Sequence, residues 1–278
     1  MEQQTQTSPI FALDSVTQVD ERCVGLVLIA ASHGGVYSGY LAARGRVRAA
    51  IFNDAGIGLD EAGIGGLDYL EKLGIPAAAV YHSSCRIGDA RDMVDRGLIG
   101  HANAPARQLG CVPGLKLRDC AARMVAAMAP PDGPPPPLAE ETRILLRDNA
   151  AGPKVWGLDS ASLVLPEDAG QIVVTGSHGG LMGGNPALAI KADVLAAVFN
   201  DAGTGIDRAG VGRLPALNAR GIAGVTVSHL SARIGDARSA WETGRLSFAN
   251  QKAAAMGAQR DMPVREFCER VLAAHQKG

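Results

Sequence analysis

The 278-residue chain has few aromatics, 4% of its residues, and no cysteine pairing pattern. Its five cysteines, Cys23, Cys85, Cys111, Cys120 and Cys268, are odd in number and form no CxxC motif. That argues against a disulfide framework or a cysteine-built zinc site and points to free thiols in a reducing cytoplasm. Neither sign of charge is in excess. The net charge is −1, and no basic stripe interleaved with aromatics marks a nucleic-acid surface. No apolar run approaches the roughly 18 residues of a membrane span. The start, MEQQTQTSPIF, has neither the basic nor the apolar region of a secretory signal. A cytoplasmic protein with no nucleic-acid or membrane partner is expected.

Familiar fingerprints are missing too. After Gly56-x-Gly58 the third small residue of GxGxxG is replaced by Glu61, and after Gly203-x-Gly205 by Arg208. No Walker-type phosphate loop, GxSxG elbow or HExxH pair occurs. No bound cofactor is expected. A divalent metal on His33 or His178 with nearby aspartates fits the residue types, but no spacing demands it.

What the chain does have is glycine, 35 residues of it, and a duplication. Ser32-His33-Gly34-Gly35 returns as Ser177-His178-Gly179-Gly180, Asn53-Asp54-Ala55-Gly56 as Asn200-Asp201-Ala202-Gly203, and Arg86-Ile87-Gly88-Asp89 as Arg233-Ile234-Gly235-Asp236. Leu13-Asp14-Ser15, His82-x-Ser84, Asn103 and Cys120 also recur, as Leu158-Asp159-Ser160, His229-x-Ser231, Asn250 and Cys268. The matching segments are polar and end apolar runs such as GLVLIAAS and QIVVTGS. Runs of this kind, separated by helical lengths, read as buried parallel strands of β-α-β units. The expected fold is α/β, internally duplicated, with two similar halves of mainly parallel strands related by a pseudo-two-fold axis. Residues 1–128 form the first repeat, 129–150 a proline-rich linker followed by a short helix, and 151–278 the second repeat. A helix-compatible stretch follows the first loop in each copy. Fused duplications mimic dimers, and further association into a homo-oligomer is left open.

Ligands of open α/β sheets bind beyond the carboxyl ends of the strands, where the repeated loops fall. His33 and His178 are candidate proton carriers, with Asp54 and Asp201 as their partners. Cys85, matched by Ala232, is a candidate nucleophile if a neighbouring arginine or helix N-terminus lowers its pKa. Ser32, Gly34, Gly35 and Asn53, with Ser177, Gly179, Gly180 and Asn200, offer hydroxyls and backbone amides to a substrate. Arg86 and Arg233, with Asp89 and Asp236, offer forked donors for a carboxylate. Each group also has a plainer use: Arg–Asp pairs tie turns, Asn-Asp-Ala-Gly shapes one, and cysteine packs in cores. The reading is an enzyme acting on a small anionic, carboxylate-bearing substrate, first by hydrolysis of a non-peptide C–N bond. A lyase or isomerase using the same groups, and a non-catalytic anion-binding protein, are the alternatives.

Overall fold

The computed structural model describes residues 8–129, 133–138, 140–150 and 152–276. In the first repeat β1 (Ile10–Leu13), β2 (Val27–His33), β3 (Ala49–Asn53) and β4 (Ala77–Val80) lie side by side in sequence order and run parallel. An antiparallel strand, β5 (Ile99–Ala102), closes the edge. Successive side chains of a strand point to opposite faces, and both faces of this sheet are covered. Leu28, Ala30, Ala50 and Phe52 pack under α1 (Val36–Arg44) and α2 (Gly65–Lys72). Val27, Ile29, Ala49 and Ile51 pack under α3 (Ala90–Arg96), α4 (Ala104–Gln108) and α5 (Leu117–Met124). Two-sided burial explains why the strands read as unbroken apolar runs.

The second repeat follows the same plan. The strands β7 (Val155–Leu158), β8 (Ile172–His178), β9 (Ala196–Asn200) and β10 (Ala223–Val227) are parallel neighbours, and β11 (Leu246–Ala249) is antiparallel at the edge. Here α6 (Arg213–Ala219) covers one face, and α7 (Ala237–Glu242), α8 (Gln251–Ala255) and α9 (Val264–His275) cover the other.

Two expectations about elements need correction. The short helix expected after the prolines is a strand, β6 (Arg143–Arg147), antiparallel to β7. Ile144 and Leu146 share one face of it and lie close over Gly157, where an added methyl group would sit 3.0 Å from Leu146 and 3.1 Å from Ile144. Arg143 meets the buried carboxylate of Asp168 at 2.6 Å and sits 4.5 Å from the centre of the Trp156 ring. The helix expected after the first loop forms in the first repeat as α1 but not in the second. There, two 3-10 turns, Met182–Gly184 and Pro186–Leu188, occupy its place. Gly183 and Gly184 both have positive φ, and Pro186 lacks the amide that a helix interior needs.

The repeats meet through reciprocal contacts, the signature of a two-fold relation. The Leu59 N–H donates to the His229 carbonyl, and the Ile206 N–H to the His82 carbonyl. Gly56 and Gly203, both at positive φ, face one another so closely that a methyl group on Gly56 would lie 2.8 Å from the Gly203 Cα. Ala55, Ile87, Ala202 and Ile234 form a small apolar cluster at the same junction. Among the described residues no helix is long and apolar enough to cross a membrane.

Candidate functional site

The strand ends His33 and His178 pair with Asn53 and Asn200 in register, so the first two repeated loops emerge from the same sheet edge in each half. The pseudo-two-fold axis turns these edges towards one another. His33 reaches across to Gly235, where a methyl group would lie 3.3 Å from its Cε1, and His178 reaches Gly88 with the same 3.3 Å. Between the halves lies a cavity of about 210 Å³. It is lined by both histidines and by hydroxyls from each repeat, including Ser15, Ser32, Ser160 and Ser177.

Backbone geometry fixes the state of the two imidazoles. In each, Nδ1 lies 3.2 Å from a backbone amide two residues on, that of Gly35 or Gly180. An amide only donates, so Nδ1 holds a lone pair and the neutral ring carries its proton on Nε2. Burial pushes the pKa of His33 down to about 4. Burial, with Arg213 and His33 nearby, holds His178 well below its ordinary value. Both rings are therefore neutral Nε2–H donors near pH 7, and no described residue accepts from either Nε2.

The remaining repeated residues are placed differently. The Gly34 and Gly179 amides donate to the Asn53 and Asn200 carbonyls, and those of Gly35 and Gly180 to histidine, so the loop amides are spent within the protein. Ser32 and Ser177 accept from the Val16 and Ala161 amides, which leaves each hydroxyl proton free to donate. Asn53 and Asn200 are buried, and their Oδ1 atoms hold the Ala55 and Ala202 amides at 2.9 Å. Asp54 and Asp201 do not meet His33 and His178. Each binds the amide and Nδ1 of His82 or His229, the two histidines at the glycine junction. The bond to Asp54 raises the pKa of His82. Burial pushes Asp201 upward, but its bonds to His229 outweigh that and hold it below the usual value.

Neither repeated arginine lines this cavity, although Arg233 and Asp236 line an adjoining one together with His33 and Glu141. Arg86 pairs with Asp207 at 2.9 Å and Arg233 with Asp60 at 3.0 Å, reciprocal ion pairs across the halves with nearly half of each arginine side chain exposed. Asp89 and Asp236 cap α3 and α7 through the amides of Asp92 and Ser239. Cys85 corrects the expectation of an activated thiol. It is fully buried against Asn53 and Tyr81, and burial pushes its pKa up to about 12.

Three charged residues outside the shared motifs line the cavity: Glu141, Lys191 and Arg213. Glu141 comes from the connector just before β6, and burial, with the Asp159 carboxylate nearby, pushes its pKa up to about 7. Asp159 also lines the cavity, but its oxygens are engaged by the Ala237 amide and by the Thr142 amide and hydroxyl. Repetition drew attention to the symmetric residues, whereas these three break the symmetry. The lack of a counterpart to Lys191 in the first repeat was the available signal. Among the described residues no group of three or more His, Cys, Asp or Glu side chains could hold a metal ion. Compared with protein-family models, curated proteins and solved structures, the chain matches none.

Proposed function

We propose that the protein is an enzyme of acid–base chemistry acting on a small, polar, carboxylate-bearing molecule held in the cavity between the repeats. The observation that carries this reading is the meeting of two neutral imidazoles, one from each repeat, with unspent Nε2–H groups beside a carboxyl that titrates near neutrality. A neutral imidazole is a poor base through a nitrogen that already carries a proton. It is a good donor to an oxyanion that develops during reaction. Glu141 is the complementary group: a carboxyl close to half-ionised near pH 7 both takes and returns a proton. The roles are therefore base and acid for Glu141, and oxyanion stabilisation for His33 and His178. Taking a proton from the carbon next to a carbonyl or carboxylate, the step shared by isomerases and many lyases, uses all three. Hydrolysis of a non-peptide C–N bond is the second reading. Because Cys85 is sealed in the core, its nucleophile would be a water deprotonated by Glu141.

Incubating the protein in D2O with a panel of small hydroxy, oxo, amino and amide-bearing carboxylic acids, followed by NMR, distinguishes the two by C–H exchange or C–N cleavage. Glu141→Gln should lower either rate by about 10²–10⁴-fold, and His33→Gln or His178→Gln by about 10²–10³-fold. Turnover unchanged in all three variants would contradict the assignment.

A further inference from the structure

The two repeats differ at the start of α2 and of α6. Arg213, at the start of α6, occupies the position that Gly66 holds in α2. Its amide donates to the Gly179 carbonyl as that of Gly66 does to Gly34. In the first repeat α1 packs against α2 so tightly that a methyl group on Gly66 would lie 2.4 Å from the Gly35 carbonyl, so no side chain fits there. In the second repeat the helix is replaced by turns, and the guanidinium fills the space. Arg213 is 4% exposed and stacks over Phe199. Nε donates to the Gly180 carbonyl, and Nη1 to the carbonyls of Leu188 and Ala189. No described residue accepts from Nη2, and no carboxylate among the described residues pairs with the guanidinium. A buried charge bound only to neutral carbonyls is uncompensated, and such a charge is costly unless something else supplies the counter-charge. Lys191 also lines the cavity, its Nζ bound to the neutral Ser162 carbonyl.

We propose that Arg213 and Lys191 form a single anion socket at the second repeat's end of the cavity, which takes a carboxylate group of the bound molecule. This deepens the acid–base reading and rests on it. It assigns the anion-holding role that the repeated arginines Arg86 and Arg233 leave vacant. It also makes the site single, because the pseudo-symmetric position is closed by Gly66 and α1.

Isothermal titration with oxalate and with malonate, at constant ionic strength and with chloride as the control, tests the proposal on the whole chain. One equivalent of dicarboxylate is expected to bind per chain. Lys191→Gln, at an exposed position, should weaken it about tenfold, the loss typical of one charge-assisted bond. Arg213→Lys keeps the charge, loses the fork and should weaken binding further. If it disturbs the fold, the side-chain Nε–H resonance of Arg213 in wild type gives a second readout and should shift on addition of oxalate. Glu141→Gln should retain the binding while losing turnover, which separates the socket from the chemistry. Absence of dicarboxylate binding, two equivalents per chain, an unmoved Arg213 resonance, or equal affinity in wild type and Lys191→Gln would each overturn the socket.

Discussion

At the residue scale the account turns on which nitrogen of a histidine holds its proton. The amides of Gly35 and Gly180 settle that for His33 and His178, and burial keeps both rings neutral below the ordinary imidazole range. A histidine whose folded pKa is depressed binds fewer protons in the folded than in the unfolded chain, so stability falls as pH drops below 6.5 towards about 4. For His33 the loss is at most about 3 kcal/mol. His82, raised by Asp54, works in the opposite direction, and its contribution is present in acid and lost as pH rises through its folded value. His33→Gln should therefore flatten the acid limb of the melting-temperature profile, and an unchanged limb would contradict the neutral assignment. Cys85 offers a second check. Cys85→Ala, which copies Ala232 of the other repeat, should cost about 1–2 kcal/mol in chemical denaturation and leave turnover intact. Loss of turnover in a folded variant would restore the thiol to the mechanism.

At the element scale the strands were legible and the asymmetries were not. Apolar runs such as VLIAASH in β2 and AAVFN in β9 are buried on both faces, and they read directly as parallel strands. The failure of the second copy to form its first helix follows from Gly183, Gly184 and Pro186. Their consequence, room for Arg213, depends on packing against α6. Likewise RILLR in β6 is too short to reveal its period, and the close seating of Ile144 and Leu146 over Gly157 is visible only once the strands are paired. The tight α1–α2 contact yields its own prediction. A methyl group on Gly39 would lie 2.8 Å from the Gly66 carbonyl. Gly39→Val should therefore destabilise the first repeat by about 1–3 kcal/mol through overpacking, measured by denaturant unfolding. A neutral result would mean that the helices do not approach as described.

At the scale of the whole molecule, the repeat serves two ends. The polar residues common to both copies mostly hold the halves together: Asp54 and Asp201 fix the junction histidines, and Arg86 and Arg233 bridge to Asp207 and Asp60. Identity between loops therefore marked the interface as strongly as the site, and sequence alone could not separate these uses because both need polar residues at the same strand ends. Of the expected candidates, His33, His178, Ser32 and Ser177 line the shared cavity; Lys191 stands out in the sequence only by lacking a counterpart, and Glu141 and Arg213 emerge only from the three-dimensional arrangement. The bridging arginines are well exposed, and exposed pairs are worth little. Arg86→Ala and Arg233→Ala should each cost no more than about 1 kcal/mol in thermal or denaturant unfolding. A loss of several kcal/mol would mean that the ion pairs are sealed from water.

The central claim is that one cavity between the repeats gathers two neutral histidines around a carboxylate ligand. The most direct test is an NMR pH titration of the imidazole nitrogens, with and without oxalate, using His33→Gln and His178→Gln for assignment. The account predicts that His33 stays largely neutral, protonated on Nε2, from pH 6.5 down towards its pKa of about 4, that His178 likewise titrates well below the ordinary imidazole value, and that oxalate shifts both resonances. Titration of both near 6.5, with no response to oxalate, would contradict it.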